Sequence, residues 1–287
     1  MRDQTTSIQA GLSRPVAKLV RGMPTNDGDG VKLTRVLGGP NLPELDPFLL
    51  LDEIRSDDGA DYIGGFPEHP HRGFETVTYV LAGRMRHGDN KGNKGLLGPG
   101  SVQWMTAGRG IVHSEMPEQE GGLMWGFQLW VNLPAKNKMM APRYQDIDPA
   151  RIPETILPGG VKLRVLAGSV GAVKGPVEGI VTEPLLLDVA LPGGGASADI
   201  ELPAGHNVFA YVFDGEAKLG EPARSVPRGQ IAVFGAGSSV RLAGGPGRVL
   251  LAAGKPLAEP VARYGPFVMN TPDEIRQAIT DYQSGRF

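Results

Sequence analysis

Six apolar side chains recur at every second position between residues 123 and 133, and this series constrains the fold more than any other feature of the chain. Its members are Leu123, Trp125, Phe127, Leu129, Val131 and Leu133. Because successive side chains of an extended segment point to opposite faces, the series predicts a β-strand with one face against a hydrophobic core. The chain also holds 42 glycines and 25 prolines, interspersed with apolar residues. That composition is typical of many short strands joined by tight turns.

The first half of the chain contains further segments with strand character. Alternating, β-branched or apolar runs occupy residues 31–37, 45–53, 76–81, 101–106 and 111–116. Glycine or proline lies between most of these runs, as expected for strands that are separated by turns. Residues 85–95 include three glycines and predict a mobile hairpin loop, which would hold His87.

The second half repeats this pattern. Apolar or aromatic runs at residues 185–191, 207–213, 229–234 and 248–253 are divided by glycine-rich turns. Residues 134–158, between the two halves, are polar, rich in proline and without periodicity, as is typical of a domain boundary. We therefore expect two all-β domains of the sandwich or barrel type, over residues 1–145 and 146–287.

One helix is expected near the end of the chain, over about residues 271–284. Thr271 suits the N-cap, and Pro272 suits the first helical position. Asp273 and Glu274 would interact favourably with the positive end of the helix dipole. The apolar residues that follow have helical spacing, so this amphipathic helix should pack on the second sandwich.

Charge and cysteine content exclude several classes of function. The formal net charge is −2, and no run of lysine or arginine provides an electrostatic surface for nucleic acid or an anionic membrane. The chain has no cysteine, which excludes disulfides, thiolate metal sites and cysteine nucleophiles. No segment has the ~20 consecutive apolar residues of a membrane span. We expect a cytoplasmic protein.

Three of the five histidines lie in two short pairs. His69 and His71 flank a proline and are expected at the entry of the strand at residues 76–81, and His113 and Glu115 flank a serine. Side chains at positions i and i+2 of a strand point the same way, roughly 6.6 Å apart along it, so each pair offers two groups to one face. Imidazole and carboxylate are ligands of divalent metals. The sequence predicts one metal site formed by these four side chains, in the first half of the chain.

Other polar residues have weaker patterns. His87 and His206 stand alone, and we interpret both as ordinary satisfied or surface histidines, so the second domain is expected to lack metal ligands. Glu75 would lie on the same side as His71 in a continuous strand, where it would contact the ligands, but a bulge would turn it away. Gln128 would either line a pocket or take part in strand pairing. Iron, manganese, nickel, cobalt and copper all suit three imidazoles and one carboxylate.

These motifs resemble the cupin superfamily and, more closely, the pirin family. His69-Pro-His71 followed by Glu75 is similar to the first cupin motif, and GRGIVH at residues 108–113 is similar to the second, with glycine in place of proline. The segments that resemble pirins are LDPFLLLDE from Leu45, GGFPEHPHRGFETVTYVLAG from Gly64, VQWMTAGRGIVHSEMP from Val102, FQLWVNLP from Phe127 and YGPFVMNTPDEI from Tyr264.

The resemblance implies a bicupin, that is, two β-sandwich barrels, with one metal in the N-terminal barrel. Its ligands would be His69, His71, His113 and Glu115. The metal of this family is usually iron, and several bacterial pirins open flavonols such as quercetin with dioxygen. The eukaryotic pirin is described instead as an iron-dependent, redox-responsive transcription cofactor.

Two hypotheses for the function follow from this resemblance. As a quercetin 2,3-dioxygenase, the chain would bind a deprotonated flavonol while dioxygen breaks the central ring with loss of carbon monoxide. Glu115 would then be both a metal ligand and the acceptor of the hydroxyl proton. As a non-enzymatic iron protein, the chain would act through a protein partner that responds to the oxidation state of the metal. In both cases we expect a monomer that binds neither DNA nor membrane.

Overall fold

A computed structural model describes residues 12–119 and 121–287, which form two compact units. The N-terminal unit consists of Gly22–Ile152, Val177–Thr182 and Leu257–Phe287. The C-terminal unit consists of residues 12–21, Pro153–Pro176 and Glu183–Pro256. The division of the sequence near residue 145 remains a prediction about domains, and residues 1–11 of the expected first domain lie outside the described residues.

The described residues form strands and one α-helix, α1, at Pro272–Gln283. The strands, in chain order, are β1 Val16–Arg21, β2 Met23–Asp27, β3 Val31–Leu37, β4 Phe48–Ser56, β5 Phe66–His71, β6 Phe74–Ala82, β7 Met85–Asp89, β8 Lys94–Leu97, β9 Val102–Thr106, β10 Ile111–Pro117, β11 Met124–Asn132, β12 Arg143–Ile147, β13 Glu154–Ile156, β14 Lys162–Ala167, β15 Ser169–Val170, β16 Val173–Lys174, β17 Leu185–Leu191, β18 Ser197–Glu201, β19 Asn207–Leu219, β20 Arg224–Pro227, β21 Gln230–Phe234, β22 Ser239–Ala243, β23 Gly247–Gly254, β24 Ala262–Tyr264 and β25 Phe267–Met269.

The N-terminal unit is a β-sandwich of two antiparallel sheets. One sheet has seven strands in the order β12-β9-β6-β11-β4-β3-β2, and the other has four in the order β5-β10-β7-β8. An apolar cluster joins the two sheets, because it contains Ile54 and Val80 from the first and Met85 and Leu97 from the second. The interior between the sheets is therefore the place where side chains of β5, β10, β6 and β11 can meet.

The alternating series that spans β11 has the expected buried face. Phe127, Leu129 and Val131 are each at most 2% exposed. Because the side chains between them point to the other face of the sheet, Gln128 and Trp130 are presented to the interior of the sandwich, where they line a cavity. The strongest sequence pattern thus predicts which face of β11 carries buried apolar side chains, and it also explains how Gln128 and Trp130 reach the cavity on the other face.

The C-terminal unit is a second β-sandwich, built on a ten-stranded arrangement. Strand β19 runs through both layers: its first part pairs with β21 and β23, and its last residues pair with β20 and β22. The interior is apolar, with Val165, Leu187, Val212 and Leu251 each fully buried. These features confirm the predicted all-β fold with two β-sandwich domains.

Helix α1 begins as expected. The Thr271 side chain accepts a hydrogen bond from the Glu274 N–H, and the Glu274 side chain accepts one from the N–H of Thr271, which completes a capping box. Ile275 and Ala278 are buried in a cluster with Phe267 of β25. The helix therefore packs within the N-terminal unit, not on the second sandwich as expected from the sequence. No helix in the described part of the chain is long and apolar enough to cross a membrane, and the cytoplasmic location remains a prediction.

Two local predictions around the histidines were wrong. His69 and His71 do not begin the strand at residues 76–81; they belong to β5, which is in the other sheet. Gly73 separates β5 from β6 with a φ of +89°, a conformation that favours glycine. Residues 85–95 are not simply a loop, since His87 lies within β7 and this strand pairs with β8.

A buried lysine supports the junction between β5 and β6. Lys138 is 1% exposed, and its ammonium group donates to the Gly73 carbonyl at 2.7 Å, the Asn132 side-chain oxygen at 2.6 Å and the Val268 carbonyl at 3.0 Å. All three hydrogens of the group are thus used. Lys138 connects the end of the histidine strand to β11 and β25.

Candidate metal centre

The histidine pair on β5 faces the histidine on β10. The two strands are antiparallel, and His113 lies directly opposite His69, while Ile111 lies opposite His71. Alternation along each strand gives His69 and His71 a common side and His113 and Glu115 a common side. The register between the two strands brings these sides together, which the sequence alone did not fix.

The three imidazoles form a compact group. Ring centroids are 4.7 Å apart for His69 and His71, 4.5 Å for His69 and His113, and 4.9 Å for His71 and His113. One ligand nitrogen from each ring lies within 4.8 Å of the others. Three imidazoles at this spacing can ligate a single ion.

The hydrogen bonds of the rings leave nitrogen atoms available. His69 Nδ1 donates to the Pro67 carbonyl at 2.8 Å, so in the neutral ring Nε2 presents a lone pair. This Nε2 lies 3.0 Å from His71 Nε2. Both ring nitrogens of His113 are buried without a hydrogen-bond partner. Because buried polar atoms are normally satisfied, these atoms indicate a group that the protein residues themselves do not supply.

Burial keeps two of the rings neutral. It lowers the pKa of His71 well below the ordinary value, and the neighbouring His113 and His69 lower it further. Burial also lowers the pKa of His113 well below the ordinary value, with His69 and His87 adding to the effect. Neutral imidazole is the form that binds a metal. These two rings can therefore bind a cation at neutral pH without first losing protons.

Glu115 lies on the same cavity as His69 and His71, but it is not a member of the three-histidine group. Its Oε1 accepts a hydrogen bond from Thr78 Oγ1 at 2.9 Å, and its Oε2 accepts one from Gln128 Nε2 at 2.8 Å. The side chain is 3% exposed. These bonds hold a buried carboxylate beside the histidines, and its role as the fourth ligand remains a prediction.

A cavity of about 480 Å³ opens onto the site. Its wall includes the apolar side chains Leu33, Leu50, Ile54 and Phe66 beside the polar groups of the site. A mostly apolar wall with a few convergent polar groups is typical of a site for a small organic ligand. Its size and lining suit a planar aromatic molecule.

Several residues of this cavity have no signal in the sequence pattern. Trp130 packs edge-on against His71, with ring centroids 5.3 Å apart. The Arg263 guanidinium carbon lies 4.8 Å from the centroid of Trp130. Arg35 donates hydrogen bonds to the Asp52 carboxylate from Nε at 3.0 Å and from Nη2 at 2.8 Å. The sequence pattern indicated that Gln128 is a polar side chain on the opposite face of β11. It gave no indication of Arg35 and Arg263, because these arginines come from strands that are distant in the sequence.

Glu75 does not contact the histidine group. It alternates with Thr76 and Thr78 along β6, and Thr78 is the residue that reaches Glu115, so Glu75 faces away from the site. Its Oε1 accepts a hydrogen bond from Thr106 at 2.6 Å. Glu75 is thus turned away from the histidines, as in one of the two expected alternatives, but by a break between β5 and β6 at Gly73 and not by a bulge.

Burial raises the pKa of Glu75 to about 7, although the bond from Thr106 opposes this. The charged form is therefore less favourable in the folded protein than in the unfolded chain, and stability should fall as pH rises from about 4.5 to 7. We expect Glu75→Gln to remove this loss, giving up to about 3 kcal/mol more stability than the wild type above pH 7 and little difference near pH 4. Urea unfolding at both pH values measures this.

Glu201→Gln, a substitution at an exposed position, is the control for that experiment. It should leave the pH dependence of unfolding unchanged. A parallel loss of stability with pH in wild type and Glu75→Gln would show that Glu75 does not carry the effect.

The two remaining histidines lie outside the histidine group. His87 is 2% exposed, and its Nε2 is 2.9 Å from Asp146 Oδ2, so it is a buried and partnered side chain. His206 is in the C-terminal unit and is 5% exposed. Within residues 12–119 and 121–287, His69, His71 and His113 are the group that could hold a metal ion.

Comparisons with family models place both halves of the chain. The model described as Pirin matches residues 30–131, and the model described as Pirin C-terminal cupin domain matches residues 186–287. A Pseudomonas aeruginosa protein, provisionally named quercetin 2,3-dioxygenase, is 51% identical over 282 residues, which cover 95% of this chain and 97% of that protein. Human pirin is 42% identical over 282 residues, which cover 96% of this chain and 94% of that protein.

Solved structures show the same fold. A crystal structure of quercetin 2,3-dioxygenase from Acinetobacter baumannii superposes with a TM-score of 0.86 at 33% identity, covering 96% of this chain and 98% of that one. A bacterial pirin from Escherichia coli, crystallised in complex with nickel(II), superposes with a TM-score of 0.67 at 21% identity, covering 83% of this chain and 98% of that one. The second likeness supports the fold alone.

Proposed function

The chain belongs to the pirin family, and from this premise we propose that it is a metal-dependent dioxygenase that opens flavonols such as quercetin. The observation that carries the proposal is the group of three imidazoles, of which His69 and His71 line a largely apolar cavity of about 480 Å³. The relative of 51% identity, which is provisionally named quercetin 2,3-dioxygenase, supports the same reaction.

The residues fit a divalent metal. Both ring nitrogens of His113 are buried without a partner, the tautomer of His69 leaves Nε2 for a ligand, and Glu115 supplies a carboxylate on the same cavity. We propose that His69, His71, His113 and Glu115 hold the ion. Iron is the metal we propose first, because it is usual in the family; manganese, nickel, cobalt and copper also suit this donor set.

Bound there, the metal would supply Lewis acidity that stabilises the oxyanion of the substrate. In the overall reaction, a flavonol and dioxygen give a ring-opened ester and carbon monoxide. Both atoms of dioxygen enter the ester product, and the carbon that carries the 3-hydroxyl leaves as carbon monoxide. The chain must therefore remove the proton of that hydroxyl and keep water away from the reacting carbons.

The side chains of the site are suited to both tasks. The carboxylate of Glu115 would accept the hydroxyl proton at one of its oxygens. Thr78 and Gln128 hold this carboxylate in place, because each donates to a different oxygen. Leu50, Ile54 and the face of Trp130 line the cavity and would cover the planar rings of the substrate and exclude water from them.

The test is turnover by protein loaded with one metal at a time. We expect quercetin-dependent oxygen uptake with release of one carbon monoxide per quercetin consumed. His206→Ala, a substitution in the C-terminal unit, should behave as the wild type. Absence of turnover with iron, manganese, nickel, cobalt and copper would contradict the proposal. The better-supported hypothesis would then be an iron-binding regulatory protein that responds to the oxidation state of its metal and acts through a protein partner.

A further inference from the structure

Arg263 lies on the wall of the same cavity as the histidines. Its guanidinium carbon is 4.8 Å from the centre of the Trp130 ring, and this ring in turn packs against His71. A guanidinium carbon at this distance from an aromatic face makes a cation–π contact, which favours one position of the Arg263 side chain. A planar molecule that lies on Trp130 with one end at the histidines would approach Arg263 with another part.

The hydrogen-bonding capacity of Arg263 is almost unused. Nη1 donates to the Leu49 carbonyl at 3.4 Å, and Arg263 has no ion pair with any residue that the structure describes. Arginine has five N–H donors. Most of the donors of this group therefore remain for a ligand or for water.

The other cation of the cavity is already neutralised. Arg35 bonds both oxygens of Asp52, and its Nη2 also bonds Asp27 Oδ2 at 2.9 Å. Asp52 is 4% exposed and has both oxygens engaged by Arg35, so it does not compete for Arg263 by hydrogen bonding. Arg263 interacts with Asp52, Asp27 and Glu44 through space, without a hydrogen bond to them, so its N–H donors remain for a ligand.

We propose that Arg263 determines substrate specificity by pairing with a negatively charged group on the substrate, on a ring distant from the histidines. The preferred substrate class is then a flavonol-like planar aromatic that bears a carboxylate or a similar fixed charge. This inference rests on the proposed function, since it places the reacting end of the substrate at the histidines. Planar, two-pronged pairing of guanidinium with carboxylate gives both affinity and orientation.

The competing explanation is that Arg263 only covers Trp130 and is otherwise hydrated. The two explanations differ in what they predict for the charge of the ligand. A covering role affects neutral and charged aromatics alike, because stacking does not depend on a remote carboxylate. A pairing role affects the charged ligand alone.

The experiment is calorimetric titration, without oxygen, of protein loaded with one equivalent of nickel. The probes are 3-hydroxyflavone and a derivative with a carboxylate on the ring that lacks the 3-hydroxyl. The variants are Arg263→Gln, Arg263→Lys and, as the matched control, Glu68→Gln, which removes an opposite charge from the wall of the same cavity. Turnover of both probes under air is measured in parallel.

We expect Arg263→Gln to weaken binding of the carboxylated probe by about 10-fold or more and binding of the neutral probe by less than about 2-fold. Arg263→Lys keeps the charge and should recover part of the loss, while Glu68→Gln should not weaken the charged probe. Equal weakening of both probes, no change for either, or no binding of the charged probe to wild type would overturn the inference. If binding depended on the charge of the probe but neither probe was turned over, the role of Arg263 would stand and the proposed dioxygenase activity would be contradicted.

Discussion

Glu115→Gln should lower flavonol turnover by about 10²-fold or more, because the amide cannot accept the hydroxyl proton. The substitution keeps the size of the side chain and one oxygen. It removes the negative charge of the carboxylate that accepts hydrogen bonds from Thr78 and Gln128. Because a neutral amide is a weaker metal ligand than a carboxylate, the metal should also bind more weakly. Rates are therefore compared at equal metal loading, with metal content measured on the same samples.

The control is Glu75→Gln, at a glutamate of the same unit that is also buried but faces away from the site. It should turn over quercetin at the wild-type rate. If fully loaded Glu115→Gln also did so, the role of Glu115 as proton acceptor would be wrong, whatever its role as a ligand.

His69→Ala should abolish tight metal binding and reduce turnover to the background rate while the protein remains folded. The side chain is only partly buried, so its removal leaves no large cavity, and we expect a loss of less than about 2 kcal/mol in the free energy of unfolding. A sandwich of this size does not need an ion to fold, in contrast to a small zinc domain. Circular dichroism and thermal unfolding of the metal-free proteins measure the stability.

A collapsed circular dichroism spectrum of His69→Ala would contradict this account, since it would make His69 a structural residue. Wild-type turnover by the variant at full metal loading would contradict it differently. In that case the histidine group would not be the reacting centre.

The sequence predicts the face of each strand well, since period-two alternation is a local property. The buried series on β11 and the shared side of His113 and Glu115 both follow from that rule. The start of α1 at the N-cap Thr271 was also predictable, because capping depends on residues that are close together in the chain. Where the helix packs was not readable, because that depends on contacts with β24 and β25.

The sequence could not supply contacts between distant segments. The pairing of His113 with His69 depends on strand register across some forty residues, and Arg263 reaches Trp130 from a hairpin near the end of the chain. The prediction of a loop at residues 85–95 was also wrong because it missed a contact between strands. Its glycines suggested mobility, but Gly95 lies against His87, where a larger side chain would not fit, so glycine there permits close packing of β7 and β8.

The most direct test of the histidine centre is elemental analysis after loading with iron and removal of free metal. The account predicts one equivalent per chain in the wild type and in His206→Ala, and none in His113→Ala. Two equivalents in the wild type, or one retained in His113→Ala, would contradict a single centre built on His69, His71 and His113.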